Sequence, residues 1–303
     1  MERLLNKWQR QTLYRKYLTD EKGKKVLYLR LQKALYGIMK SALLFYRKLI
    51  SELKGMGFEI NPYDPCIVNK MINGSQMTVR WHVDDLMISH ASNDAISQFL
   101  RALKDIYGDD LAENTGKVHH YLGMIFDFSN QDNVKINMTK YLTKVIVDFP
   151  EEIIGKAATP AGDHLFKVRD EGRKLNEEQA DAFHHTVYQL LFVANRARRD
   201  IQTAVSFLTT QVQAPDEDDW GKLKQVLKYL NGTRYLKLTL CAEQLKFDVH
   251  WYIDGSLQIH EDCRGQTGSL VTFGQGAISS SSNKRKCNTK SSTETHGCIW
   301  PNA

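Results

Sequence analysis

The chain has 303 residues, of which 42% are hydrophobic and 25% charged, with a net charge of +6. These values fit a folded globular protein of about two domains and argue against a disordered, collagen-like or low-complexity chain. The mild basic excess is compatible with a polyanionic partner. The five cysteines, Cys66, Cys241, Cys263, Cys287 and Cys298, form no Cys-x-x-Cys pair, and His260-x-x-Cys263 has no second half-site, so neither a disulfide frame nor a zinc site is expected. The N-terminus lacks the apolar core of a signal peptide, and no window approaches the roughly 18 apolar residues of a membrane span.

Residues 1–30 are polar and basic, with a turn at Lys22-Gly-Lys-Lys25. Apolar residues at helical spacing predict a helix carrying Leu44, Phe45, Leu49 and Leu53, capped by Ser41 and ended by Gly55 or Gly57. Asn61-Pro-Tyr-Asp-Pro-Cys66 reads as a turn-rich link, because each proline disfavours helix in the residue before it. A hairpin follows: Ile67–Met71, the turn Asn73-Gly74, and Met77–Trp81. A third strand, Leu86–Ser89, lies beyond Asp84-Asp85, and Asn93 is placed to cap a helix bearing Ile96, Phe99, Leu100 and Leu103.

Val118–Phe128 and Val134–Met138 predict another strand pair, and Thr159-Pro160-Ala-Gly162 marks a domain boundary. From 176 to 231 the pattern is helical. Val187, Leu190, Leu191 and Ala194 share one face, and Asp200 is placed to cap the next helix. Asp216-Glu-Asp-Asp219 opens a third helix, where acids complement the dipole, with Leu223, Val226, Leu227 and Leu230 facing inward. Strands are expected again at Phe247–Ile253, Gly268–Phe273 and Ala277–Ser281, and Ser291-Ser-Thr-Glu294 reads as a helix start.

The adjacent carboxylates Asp84 and Asp85 stand at the apex of a predicted hairpin. Like charges so close repel, and a cation beside them relieves the repulsion. Hard ions such as Mg²⁺ take carboxylate oxygens together with substrate phosphates, so such a hairpin suits half of a phosphoryl-transfer site. Taken alone, the pair equally fits a solvated turn, and Asp218-Asp219 needs no explanation beyond a helix start.

Further segments fall in order around this pair: Lys33-Ala-Leu-Tyr-Gly37 with Lys40-Ser41, Tyr63-Asp-Pro-Cys66, His82-Val-Asp-Asp85 and Tyr121-Leu-Gly123. After them come Thr159-Pro160, Arg198-Arg-Asp-Ile201, Tyr229-Leu-Asn-Gly-Thr233, Asp254 and Ser291-Ser-Thr-Glu294. Together they resemble the reverse transcriptase and the start of ribonuclease H of a copia-type LTR retrotransposon polyprotein, over nearly the whole chain from about Leu31.

The resemblance implies an α+β fold: a partial palm and thumb with a helical connection, then an incomplete ribonuclease H-like mixed sheet. The implied segments are residues 1–30 (fingers remnant), 31–160 (palm), 161–244 (thumb and connection) and 245–303 (ribonuclease H). It implies that Asp84 and Asp85 hold Mg²⁺ or Mn²⁺ at the primer end, and that His82 takes a place usually held by tyrosine. Lys33, Tyr36 and Gly37 would lie near the incoming nucleotide and template. Asp254 and Glu294 would be the first two metal carboxylates of ribonuclease H. The implied partner is an RNA or DNA template-primer in an intracellular setting, either cytoplasmic virus-like particles or the nucleus. The family's polymerase takes a further aspartate from a strand upstream of the Lys33 segment, and its ribonuclease H takes further acids beyond Glu294. A chain truncated at both ends, with impaired activity, is therefore expected. A non-catalytic nucleic-acid-binding remnant, using Lys22, Lys24, Lys25, Arg196, Arg198, Arg199, Lys284, Arg285 and Lys286 toward phosphates, is the alternative, as is a relic with no cellular role.

Overall fold

The structure, a computed structural model, describes residues 15–28, 30, 38–108, 111–169, 171–242 and 248–286. It is a mixed α+β chain that divides into two compact units, Met1–Ala112 and Glu113–Ala303. The division falls after Ala112. The Thr159–Gly162 segment, expected to mark a boundary, lies inside the second unit.

The first unit begins with an antiparallel ribbon, β1 (Leu18–Glu21) and β2 (Lys24–Leu27), which turns at Lys22-Gly23. Helix α1 (Met39–Gly55) follows. Four strands then form an antiparallel meander in the order β3 (Glu59–Ile60), β4 (Ile67–Ile72), β5 (Ser75–His82), β6 (Asp85–Ser89). Helix α2 (Asn93–Tyr107) completes it. Along β5, Met77, Val79 and Trp81 are buried and the residues between them are not, which is the period of a sheet covered on one face. The covering comes from Leu49 and Leu53 of α1 and Ala95, Phe99 and Leu103 of α2, which join Phe58 and Val68 in one core. At roughly 1.5–3 kcal/mol for each fully buried side chain, this core fixes the register of β5 and therefore the place of its last residues.

Two capping expectations shift. Ser41 lies in the first turn of α1, whose N-cap is Ile38 without a side-chain bond, and Ser92, not Asn93, caps α2 by accepting from Ala95 N. In each case the residue with extended backbone just before the helix takes the cap position, and only at α2 does its side chain bond the helix start.

The second unit contains β7 (Val118–Tyr121), β8 (Met124–Asp127), β9 (Val134–Asn137), α3 (Thr139–Asp148), α4 (Glu177–Ala194), α5 (Gln202–Thr209), α6 (Glu217–Gly232) and β10 (Leu238–Ala242). The stretch expected as one strand, Val118–Phe128, is instead a hairpin folded at Leu122-Gly123. After β10 come β11 (His250–Ser256), β12 (Gln266–Thr272), β13 (Gly274–Gln275) and β14 (Ser279–Lys284). One sheet has the order β13-β10-β9-β8-β7, and another β11-β12-β14. Helices α3–α6 and the inner side of the first sheet share a core that includes Leu142, Phe183, Leu190, Phe207, Leu223 and Leu230.

The β11-β12-β14 sheet is tied to α5. Gln202 Nε2 donates to Ser280 O at 2.9 Å, Ser206 donates to Ser282 O, and His260 packs its ring edge-on to Phe166 at 5.1 Å. No helix among the described residues is long and apolar enough to cross a membrane.

Candidate nucleotide and metal site at the β5–β6 apex

Strands β5 and β6 are joined by two residues, Val83 and Asp84, and His82 pairs with Asp85 at the end of the ladder. Just below, Trp81 is buried opposite Leu86, its ring 6.1 Å from the Tyr46 ring of α1, and its backbone N–H donates to Cys66 O at 3.1 Å. Thus a rigid, packed base carries an apex in which His82, Val83, Asp84 and Asp85 are all exposed.

The turn itself is unusual. The three other two-residue hairpin turns carry positive φ at both central residues, with glycine second: Lys22-Gly23 (49°, 78°), Asn73-Gly74 (51°, 79°) and Leu122-Gly123 (51°, 75°). At the apex only the first central residue is positive, and that residue is Val83, at 58°. This is the type II′ pattern, which ordinarily takes glycine first. A β-branched side chain in the left-handed region costs about 1–2 kcal/mol. Strain of this kind concentrates at functional loops that the surrounding structure over-determines. Here it carries the exposed, consecutive acids Asp84 and Asp85.

The donor set suits a magnesium-type ion shared with a substrate. Such an ion is commonly bound by one or two carboxylates plus phosphate oxygens, not by an all-protein cage. Among the described residues no group of three or more His, Cys, Asp or Glu side chains is arranged to hold an ion.

The other expected residues are placed as follows. Asp254 is exposed on β11 of the second unit, opposite Gly268, and its Oδ1 accepts from Gly255 N at 2.8 Å. Lys33, Tyr36, Gly37 and Glu294 lie outside the described residues. Of the cations considered for phosphate contact, Lys22, Lys24 and Lys25 are exposed on the β1–β2 ribbon. Arg285 is buried and donates to Thr267 Oγ1 at 2.9 Å, and Lys284 pairs with Asp262 at 2.9 Å. The guanidinium of Arg196 lies 3.6 Å from the centre of the Phe192 ring.

Arg198 is only 1% exposed. Its Nε and Nη2 clasp Asp200 at 2.7–3.2 Å, and it donates to Thr233 O and Thr233 Oγ1 at 3.0 and 2.7 Å. Tyr229 Oη adds a bond to Asp200 at 2.7 Å. Burial alone would raise the Asp200 carboxyl, but the Arg198 hydrogen bonds and charge, with the Tyr229 hydroxyl, outweigh it and hold the group below its ordinary value. Burial, and then the bond to Asp200, push the Tyr229 phenol up. Arg198 is therefore unavailable to a phosphate, and Asp200 does not cap α5, whose N-cap is Ile201. The segments Arg198-Arg-Asp-Ile201 and Tyr229-Leu-Asn-Gly-Thr233 bind each other. Their separate sequence patterns carry no sign of this pairing.

Residues 15–161 match the reverse transcriptase (RNA-dependent DNA polymerase) family, a stretch that takes in the β5–β6 apex. The chain is 26% identical over 279 residues to the retrovirus-related Pol polyprotein from transposon TNT 1-94 of Nicotiana tabacum, covering 90% of this chain and 21% of that protein. It is 25% identical over 252 residues to a transposon Ty5-1 protein of Saccharomyces cerevisiae, covering 83% of this chain and 80% of that one. It is 26% identical over 266 residues to the retrovirus-related Pol polyprotein from transposon RE2 of Arabidopsis thaliana, covering 88% of this chain and 18% of that protein. The chain thus spans about a fifth of the length of the two polyproteins. No solved structure matches it. The packed hairpin with its paired acids lies within the residues that match the reverse transcriptase family, and the relatives that the chain resembles are retrotransposon proteins, two of them Pol polyproteins.

Proposed function

We propose that the first unit is the palm of an RNA-directed DNA polymerase, in which Asp84 and Asp85 hold Mg²⁺ or Mn²⁺ jointly with nucleotide phosphates. The observation that carries this is the strained Val83-Asp84 turn, raised on a buried Trp81 and lying within the matched region. When bound, such ions lower the pKa of the attacking hydroxyl and stabilise the leaving oxygen. The chain's own contribution is position. The β5–β6 ladder fixes the backbone of the two acids, with His82 across from Asp85 at its end. Lys33, Tyr36 and Gly37 act near nucleotide and template in this reading.

In the same reading polymerisation needs a further carboxylate beside Asp84 and Asp85, and extension by this chain is expected to be weak. Members of a catalytic set act as a unit, and an incomplete set loses most of the rate. The test is primer extension on an RNA template with Mg²⁺ or Mn²⁺. Little product is expected, and none from the Asp84→Asn/Asp85→Asn variant. Efficient extension by the unaltered chain contradicts the impairment, and equal product from the variant contradicts the assignment of the two acids.

Asp254, with Glu294, forms the start of a ribonuclease H-type site in this reading, supported by the exposed strand position of Asp254. A second reading, template-primer binding without catalysis, is favoured by the exposed lysines of the β1–β2 tip. Either reading puts the protein with nucleic acid in an intracellular setting.

A further inference from the structure

Strand β11 ends the β11-β12-β14 sheet, so among the described residues it has a strand on one side only. The opposite end of the sheet, β14, is bonded to α5 through Ser280 O and Ser282 O. Natural sheets guard free edges with shortness, proline, lysine or bulges. Other edge strands here are short: β3 and β13 have two residues, β7 has four and β6 five. β11 runs for seven residues in unbroken register with β12, and it holds neither proline nor lysine. Trp251 is 58% and Tyr252 60% exposed, although they point to opposite faces of the pleat. Large apolar groups on both faces are the pattern of a strand inside a sheet, not of one at its rim.

The residues of β11 complement themselves when the strand is reversed. In an antiparallel pair centred on Tyr252, Trp251 stands opposite Ile253 of a second copy, and His250 stands opposite Asp254. The first pair is apolar. The second sets an imidazole N–H donor against a carboxylate acceptor. Asp254 Oδ1 already accepts from Gly255 N at 2.8 Å, which leaves Oδ2 for the histidine. Each pair occurs twice, as a two-fold axis requires. Parallel pairing in register would instead set Asp254 against Asp254, which like-charge repulsion opposes.

We infer that two copies of this chain associate through antiparallel β11–β11 pairing, which joins their three-stranded sheets into one continuous sheet about an axis at Tyr252. The partner is a second copy because the complementary pattern is contained in β11 itself. This surface is independent of the polymerase reading of the first unit.

The test is sedimentation equilibrium of the full chain over about 1–200 μM, a range suited to a small interface with a Kd on the order of 10 μM. A monomer–dimer equilibrium is expected. His250→Asp opposes two acids at both symmetric positions and is expected to weaken association roughly five- to tenfold. His250→Asp/Asp254→His restores the pair in reverse order and is expected to recover it. Tyr252→Cys, oxidised with diamide, is expected to give a dimer whose disulfide joins position 252 of one copy to position 252 of the other, read by mass spectrometry of the linked peptide. Ser256→Cys, which the axis holds far from its own copy, is expected to give no such link. Circular dichroism establishes that each variant is folded. A chain that stays monomeric throughout overturns the pairing and leaves the edge to a strand of different sequence. A dimer that His250→Asp does not weaken and that yields no link at position 252 overturns it as well.

Discussion

Val83 concentrates the backbone cost of the apex in one side chain. Glycine at that position removes the left-handed penalty of about 1–2 kcal/mol and adds back roughly 0.4–1 kcal/mol through a freer unfolded chain. Val83→Gly is therefore expected to raise the denaturation midpoint slightly, by up to about 1 kcal/mol, and a clear loss of stability would show that the turn is unstrained. The Arg198–Asp200 pair gives a larger effect. Asp200→Asn leaves a buried guanidinium uncompensated, which costs roughly 2–3 kcal/mol in urea unfolding. The same pair sets a pH dependence. Because the folded carboxyl lies below its unfolded value, its contribution is complete above the ordinary carboxylate range and is lost as pH falls through the lowered folded value. Acid titration of stability should thus flatten in Asp200→Asn, and an unchanged acid limb would contradict the pairing. The doublet Asp84-Asp85 stands out in the sequence only through the ordered segments around it, because an acidic pair alone also fits a solvated turn. Arg198 was not, since a basic residue in sequence looks the same whether it faces solvent or a partner 35 positions away.

At the scale of elements, local signals were read well where one residue type answers one geometric need. Asn73-Gly74 marked its hairpin because glycine supplies the second positive φ. Helix α6 is the strongest case: Asp216 accepts from Asp218 N and Asp219 N, Asp219 returns a bond to Asp216 N, and Leu223, Val226, Leu227 and Leu230 are fully buried. Asp216→Ala removes this reciprocal cap and is expected to cost about 1–2 kcal/mol, seen as a lower thermal midpoint with unchanged folded helix content. A neutral result would mean that core packing alone holds the helix. Signals failed where the partner is remote. Strand β10 pairs with β9 about a hundred positions earlier, and β13 is two residues long, so no local signal announces either pairing. The Val118–Phe128 run reads as one strand because the fold at Leu122-Gly123 lacks the Asn-Gly or Asp-Gly signature.

For the whole molecule, the family resemblance implied the α+β class that the structure has, but not the division after Ala112. That division depends on which core each helix joins. Thr159-Pro160 looks like punctuation, yet Thr159 O accepts from Gln225 of α6 and Leu165 enters the same core as α3–α6. Likewise β14 is bonded to α5, so the late strands belong with the helices before them. The proposed function makes Asp84 and Asp85, within the region of the family match, the place where a divalent ion and nucleotide meet. The direct measurement is water-proton relaxation of Mn²⁺ with a deoxynucleoside triphosphate, titrated with the full chain. Enhancement is expected with the unaltered protein and is expected to vanish in Asp84→Asn/Asp85→Asn. Equal enhancement in both would contradict the assignment of this hairpin as the ion site.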